Sequence, residues 1–174
     1  MHIEFTQADD SHIDDLVDLI NSAYRGDSSK AGWTTEADLL SGQRVDAETI
    51  QANIDKEDSV ILVAEDDDTG QLLGCVHLEK NGDKCYLGML TVDPTLQKKG
   101  IGKMLLDESE AFAQFWDCTH LYMTVISVRN ELIAWYEKHG FRKTGEKKPF
   151  PYGNERFGIP KVDNLEFIIL EKKV

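Results

Sequence analysis

Apolar side chains recur at helical spacing in residues 11–24. Ser11 stands where an N-cap is preferred, just before this pattern begins. The residues that would share one face of the helix are Ile13, Leu16, Val17 and Ile20. The pattern therefore predicts an amphipathic helix with one face on a core.

A polar segment follows, RGDSSKAGWTTEADLLSGQRVDAETI, and it contains two shorter helical patterns. Thr35 and Asp38 come close to a capping box at the start of the first pattern. Asp46 is placed to cap the second pattern, which covers residues 47–55. The segment therefore predicts a loop followed by two short helices.

From residue 59 the period of the pattern changes to that of strands. Three runs are β-branched or alternate between apolar and polar residues, with the turn sequences DDDTGQ and NGD between them. These runs predict a meander of strands over residues 59–65, 72–80 and 85–92.

The second half of the chain mixes the two patterns. Helices are predicted over residues 101–116 and 131–139, and strands over residues 120–126, 141–146 and 165–172. A segment rich in Pro, Gly and aromatic residues, KKPFPYGNERFGIPKVDN, precedes the last strand. Helices interleaved with hairpins favour an α/β (α+β) fold, with a mixed sheet flanked by helices.

Composition narrows the classes of function. The 174 residues suffice for one well-cored domain, 1–174, and no apolar run approaches the roughly 20 residues of a membrane span. The net charge of -13 argues against nucleic acid and anionic membranes as partners. Cys75, Cys85 and Cys118 are odd in number and lack C-x-x-C spacing, which favours reduced thiols in the cytoplasm. The histidines lack the spacing of metal ligands.

Positive charge is nevertheless concentrated in one turn, QKKGIGKM, between a predicted strand and a predicted helix. Gln97 and Leu105 stand where a Walker A loop and a dinucleotide fingerprint, respectively, need glycine, so neither motif fits. A helix start exposes unpaired N–H groups, and glycines let a phosphate approach them. The turn therefore predicts a site for a phosphorylated ligand, with a solvated basic turn as the alternative.

Two motifs carry a resemblance to a known family. Gln97-x-x-Gly100-x-Gly102 matches Q/R-x-x-G-x-G/A, and residues 130–141, NELIAWYEKHGF, match N-x-x-A-x-x-x-Y-E-K-x-G-F with the tyrosine one place nearer. In this order and separation they resemble the GNAT superfamily of N-acyltransferases, over nearly the whole chain. The resemblance implies the GNAT fold, with a mixed, mostly antiparallel sheet of about six to seven strands flanked by helices.

The resemblance also implies acetyl-CoA (CoA) as co-substrate, without a metal. CoA would lie along the end of the third meander strand, with its pyrophosphate on the glycine turn. Asn130 would hydrogen-bond the pantetheine arm, and a plain helix N-cap is the alternative for this residue. The cofactor-binding residues implied are Leu90, Thr91, Val92, Gln97, Lys98, Lys99, Gly100, Ile101, Gly102, Lys103, Asn130 and Tyr136.

Acetyl transfer requires a neutral amine, a donor for the oxyanion and a proton for the leaving thiolate. The family usually keeps a tyrosine as general acid, which implies Tyr136, although a core aromatic is the alternative. Some relatives carry a base on the third meander strand, where this chain has Tyr86. Glu79 and Glu36 are therefore the candidate bases, each of which could instead be a solvated charge. Water-mediated deprotonation is equally open.

Two segments that vary in the family would form the acceptor pocket, YRGDSSKAGWTTEADLLSGQR and PFPYGNERFGIP. The second lies in a long connection between strands, and long ordered loops often bind ligands. Their aromatic residues could instead attach the loops to the body of the protein. The candidate substrate-binding residues are Tyr24, Trp33, Arg44, Phe150, Tyr152 and Phe157.

The function implied by the resemblance is an acetyl-CoA-dependent N-acetyltransferase that acetylates a primary amine of a small molecule by direct attack on the thioester. A protein or peptide N-acetyltransferase is one alternative, and a CoA-binding regulatory module without turnover is another. We expect a cytoplasmic enzyme, and a homodimer is compatible with the sequence.

Overall fold

Nine strands and four helices make up the described part of the chain. The computed structural model describes residues 1–25, 29–30, 32, 34–97, 99–152 and 158–174. The strands are β1 Ile3–Gln7, β2 Leu40–Ser41, β3 Ser59–Asp66, β4 Leu72–Asn81, β5 Lys84–Val92, β6 His120–Ile126, β7 Arg142–Pro149, β8 Ile159–Pro160 and β9 Glu166–Lys173. The helices are α1 Ile13–Tyr24, α2 Ala47–Asp55, α3 Ile101–Phe115 and α4 Asn130–Lys138.

Seven of the strands form one sheet in the order β1-β3-β4-β5-β6-β9-β7, and β2 pairs with β8 in a separate ribbon. Every neighbouring pair in the large sheet is antiparallel except β5 with β6. This topology confirms the predicted mixed, mostly antiparallel sheet flanked by helices. The edge strand β1 was not predicted, because only Ile3 and Phe5 of its residues pack on the core.

Both faces of the sheet are covered, and the alternation of residues along β3 shows how. Ile61 and Val63 pack with α1 and α2, whereas Leu62 and Ala64 pack against α3. Side chains alternate across a strand, so a continuous apolar run supplies two cores at once. This explains why SVILVAE carries apolar side chains at successive positions.

The N-cap predicted for α1 differs from the one in the structure, whereas the N-cap predicted for α2 agrees with it. Ser11 does not cap α1, because it lies inside a short 3₁₀ turn, Asp10–His12. The cap of this turn is Asp9, whose carboxylate accepts a hydrogen bond from the Ser11 N–H at 2.9 Å. The prediction for Asp46 is confirmed, since its carboxylate accepts from the Thr49 N–H at 2.8 Å and caps α2.

The prediction of a helix after Thr35 is wrong. The N–H groups of Leu39 and Leu40 both donate to the Glu36 carbonyl, which closes a turn, and the chain then enters β2. Pairing of β2 with β8 takes the backbone groups that a helix would have used.

The longest helix in the described ranges, α3, has 15 residues. No helix there has both the length and the apolar character needed to cross a bilayer.

Candidate active site

The sheet splits where β5 and β6 diverge. These two strands, described throughout, pair only at Lys84 with His120, Cys85 with Leu121, and Tyr86 with Tyr122. Beyond these pairs, the remainder of β5 has no partner on the β6 side. A cleft therefore opens between the ends of two adjacent strands.

A bulge in β5 lies beside this cleft. Met89 and Leu90 together face the single residue Val76 of β4, and Met89 has a positive φ of 52°. A bulge bends a strand and leaves part of its backbone unpaired. The Leu90 carbonyl, at the bulge, accepts a hydrogen bond from the Tyr24 hydroxyl at 2.7 Å.

Two cavities meet at the split. The first, of about 280 Å³, lies between the glycine turn and α4. The second, of about 290 Å³, lies on the other side of the split, against the early segment and the loop after β7. The residues that line both cavities are Tyr24, Leu90, Arg129, Leu132 and Tyr136. A ligand extending from one cavity to the other would pass these side chains.

The two glycines of the turn have different structural roles. Gly100 caps α3 with a φ of +80°, and among the described residues a Cβ built there would find only Met104 Cε, at 3.9 Å. Glycine is thus required at Gly100 by its left-handed backbone, and the space beside it is open. At Gly102 a Cβ would lie 3.3 Å from Trp135 Cζ2, so this glycine lets α4 approach α3.

The structure gathers most of the implied CoA residues into the first cavity. Lys99 is exposed and does not line it, Lys98 lies outside the described residues, and Lys103 pairs with Asp107 at 2.9 Å. The implied residues that do line it are Leu90, Thr91, Val92, Gln97, Gly100, Ile101, Gly102, Lys103 and Tyr136.

Asn130 does not reach either cavity. It is the first residue of α4, its side chain is exposed, and Arg129 occupies the cap position. The alternative that Asn130 is a plain N-cap is therefore wrong. Its contact with a pantetheine arm stays a prediction.

Tyr136 lies where the cavities meet, only 5% exposed. Its ring packs against Trp135 and Phe141, with centroid distances of 5.2 and 5.6 Å. Among the described residues none hydrogen-bonds to its hydroxyl, so that group is open to a ligand. Burial raises the pKa of Tyr136 far above its usual value, which keeps the phenol protonated.

Tyr24 occupies the same junction with its hydroxyl already engaged. The hydroxyl donates to the Leu90 carbonyl, and burial raises the pKa of Tyr24 to about 12. Of these two tyrosines, Tyr136 is therefore the one with a proton free to donate.

Glu36 is buried between two arginines. Its Oε1 accepts from Arg25 Nε at 3.0 Å, and its Oε2 accepts from Arg129 Nη1 at 3.0 Å. Arg129 also donates to Thr34 Oγ1 at 2.8 Å. Burial lowers the pKa of Arg25, and the charge of Glu36 opposes that shift. Glu36 is thus no solvated charge, and both of its oxygens are occupied.

The other candidate base lies away from the cleft. Glu79 pairs with Lys56 and lines neither cavity. Tyr86, at the position where some relatives carry a carboxylate, packs against His77 and Tyr122 and lines the second cavity. His77 bonds to Ser59 Oγ at 2.9 Å, and burial lowers its pKa to about 4. No described carboxylate in the cleft therefore has a free oxygen for an amine.

The acceptor residues are only partly brought together. Tyr24, Arg44 and Phe150 line the second cavity. Tyr152 does not; its hydroxyl donates to the Val162 carbonyl at 3.1 Å and accepts from the Leu165 N–H at 2.8 Å, so it holds the loop in place. Trp33 and Phe157 lie outside the described residues.

Comparison with known proteins decides the family. A model described as the acetyltransferase (GNAT) family matches residues 13–141, most of the chain. The chain belongs to the GNAT acetyltransferase family.

Individual relatives of this GNAT protein are distant. The uncharacterised protein YdhI of Bacillus subtilis (strain 168) is 27% identical over 75 residues, which covers 43% of this chain and 46% of YdhI. The chain thus matches less than half the length of that relative.

Solved structures share the fold. The ribosomal-protein-S18-alanine N-acetyltransferase of Escherichia coli has a TM-score of 0.72 at 14% identity, with 99% of this chain and 94% of that chain covered. The PaiA N-acetyltransferase of Thermoplasma acidophilum, in complex with coenzyme A, has a TM-score of 0.69 at 19% identity and full coverage of both chains. The IAA acetyltransferase of Bacillus cereus has a TM-score of 0.66 at 16% identity, with 99% and 100% covered.

Sequence reasoning missed several lining residues of this GNAT protein. Arg129 stands directly before the NELIAWYEKHGF block, but a charged residue ahead of a helix usually lies in solvent. Trp135 and His139 lie one helical turn apart, and their rings make an edge contact with centroids 4.5 Å apart beside the glycine turn. Their spacing of four residues was the available signal.

Replacing Gly100 with Val should weaken CoA binding by about tenfold or more, because a branched residue resists a positive φ and the turn would open. Isothermal titration with CoA measures this. Gly70→Val is the matched control, since Gly70 has a φ of +74° with open space around it and lies in the β3–β4 turn. The control should lose similar stability and keep its CoA affinity. A folded Gly100→Val protein with parental affinity would remove the glycine turn from the CoA site.

Proposed function

We propose that this GNAT protein transfers an acetyl group from acetyl-CoA to the primary amine of a small molecule, by direct attack of the amine on the thioester. The observation that carries the proposal is the position of Tyr136. Its hydroxyl, which has no hydrogen-bond partner among the described residues, lies where the cavity beside the glycine turn meets the second cavity. A proton donor is needed at that junction, where a leaving thiolate would form.

The residues present fit CoA. The open space beside the left-handed Gly100 would accept a phosphate, and the start of α3 offers unpaired N–H groups. The unpaired backbone of β5 offers hydrogen bonds to an extended pantetheine arm, in the manner of an added strand. Trp135 forms an apolar wall of the same cavity.

Acetyl-CoA would supply the acetyl group as a thioester. The amine would add to the thioester carbonyl, which places negative charge on its oxygen, and the C–S bond would then break to leave the amide and the thiolate. We assign the oxyanion donor to a backbone N–H at the Met89–Leu90 bulge, because preorganised donors are effective where negative charge develops. Tyr136 gives its proton to the sulfur. Burial raises the pKa of Tyr136 and keeps the phenol protonated until the thiolate leaves, and a desolvated thiolate is a stronger base than one in water.

The amine must also lose a proton, and water is our candidate for its removal. Both oxygens of Glu36 are held by arginines, and Glu79 lies outside the cavities. Solvent in the second cavity can carry the proton away, either before the attack or after it.

The size of the second cavity favours a small acceptor. About 290 Å³ is at the lower end for ligand pockets, and Phe150 and Phe167 close one side of it. This volume suits a small amine better than an extended peptide segment.

A thioester-cleavage assay with a panel of small amines and peptides tests the proposal. Release of CoA thiol should depend on a small amine, and mass spectrometry should find the amine acetylated. Acetylation of peptides alone would favour the protein acceptor. Binding of CoA without turnover of any amine would favour a regulatory module.

A further inference from the structure

The second cavity is positively charged within a strongly acidic protein. Among its described lining residues three are arginines, Arg25, Arg44 and Arg129, and one is a carboxylate, Glu36. The chain as a whole has a net charge of -13. The cavity therefore departs in sign from the rest of the molecule.

Glu36 is bonded to two of these arginines, Arg25 and Arg129. Arg44 is different. Its guanidinium lies over the Tyr24 ring, with Cζ 5.5 Å from the centroid, and no acidic side chain in the described ranges pairs with it. Among the described residues, the Tyr24 ring is thus the partner of this guanidinium, and no carboxylate competes with a ligand for its donors.

Arg129 adds a second observation. It is only 4% exposed, and its Nε is buried without a hydrogen-bond partner among the described residues, the Glu131 carboxylate being 3.9 Å away. Arg129 thus has the carboxylates of Glu36 and Glu131 beside it, whereas no carboxylate in the described ranges pairs with Arg44. An anion bound beside Arg44 would supply the counter-charge that this guanidinium lacks among the described residues.

The positive charge of the arginines in the second cavity also suits the chemistry of the amine. A guanidinium near an ammonium group disfavours the protonated form and increases the fraction of neutral amine. Arginine also binds carboxylate and phosphate with paired, directional hydrogen bonds. An anionic group on the acceptor would be held while its amine stayed neutral.

We propose that the acceptor is a small amine that also carries an anionic group, a carboxylate or a phosphate, which binds Arg44 in the second cavity. This inference rests on the proposed acetyltransferase function and specifies its substrate class. Polyamines and other cationic amines would be repelled by the same arginines.

Matched amines test the inference. L-Phenylalanine is compared with phenethylamine, and O-phosphoethanolamine with ethanolamine, in an acetyl-CoA thioester-cleavage assay corrected for the fraction of neutral amine. In at least one pair, the anionic member should have a kcat/KM about tenfold or more above its neutral partner. Which pair shows the preference distinguishes carboxylate from phosphate.

Two variants test whether Arg44 causes the preference for anionic amines. Arg44→Met should reduce the preference to about threefold or less, mainly through the KM of the anionic amine. Arg142→Gln removes a positive charge from exposed β7, outside both cavities, and should retain the preference.

The outcomes separate the two claims. Acetylation of neutral or cationic amines as efficiently as anionic ones would overturn the inference and leave the acetyltransferase intact. A preference retained in Arg44→Met would overturn the assignment to Arg44. Binding of CoA without acetylation of any amine would overturn the proposed function and the inference with it.

Discussion

Replacing Tyr136 with Phe should lower kcat by about a hundredfold or more, the range expected when a general acid is lost. The substitution keeps the ring against Trp135 and Phe141 and removes one hydroxyl, which has no partner among the described residues. Thermal stability and CoA affinity should therefore change little. Steady-state kinetics with saturating acetyl-CoA, together with a melting curve, measure both effects.

Tyr24→Phe is the matched control for Tyr136→Phe. Tyr24 lines the same two cavities, but its hydroxyl donates to the Leu90 carbonyl. Its removal should reduce kcat by less than about tenfold, the scale of one lost positioning hydrogen bond. If Tyr24→Phe caused the larger loss, the role of acid would pass to Tyr24.

The pH profile gives a second readout. Because burial raises the pKa of Tyr136, the phenol stays protonated through the usual alkaline range. The kcat of the parent enzyme should show no alkaline fall near pH 10, the ordinary pKa of a tyrosine. A fall there, absent from Tyr136→Phe, would mean that this phenol is more hydrated than its burial indicates.

Replacing Glu36 with Gln should lower the free energy of unfolding by about 3–5 kcal/mol, because two buried guanidiniums lose their shared counter-ion. For a chain of this size the loss corresponds to a fall of roughly 10 °C in Tm. Urea unfolding followed by circular dichroism measures it.

Two further variants test whether the effect of Glu36→Gln comes from a buried ion-pair network. Glu79→Gln removes the partner of an exposed lysine, Lys56, and should cost less than about 1 kcal/mol. The double variant Glu36→Gln with Arg129→Met should be more stable than the sum of the single changes, because one orphaned charge is removed. Additive effects, or a Glu36→Gln protein within about 1 kcal/mol of the parent, would contradict a buried ion-pair network.

The sequence by itself determined the order of the main helices and strands and the glycine turn. Both depend on local chemistry: apolar spacing differs between helices and strands, and a strand–glycine–helix junction is contiguous in the chain. The family assignment also came from contiguous motifs, QKKGIGKM and NELIAWYEKHGF.

Local patterns failed where backbone pairing came from distant residues. The residues after Thr35 have a helical pattern in the sequence. In the structure they lead into β2, which pairs with β8, a strand more than a hundred residues away in the chain. The edge strand β1 has too few apolar positions to be recognised without its neighbour β3.

Only the tertiary structure decided how the charged residues of the site are paired. Glu36 and Arg129 are separated by 93 positions, and in sequence each is an ordinary charged residue that would be expected in solvent. Folding places both beside the split in the sheet, together with Arg25 and Arg44. The energy of an ion pair depends on distance and burial, and neither can be obtained from spacing along the chain. For that reason the glycine turn was predictable from the sequence, and the charge of the acceptor cavity was not.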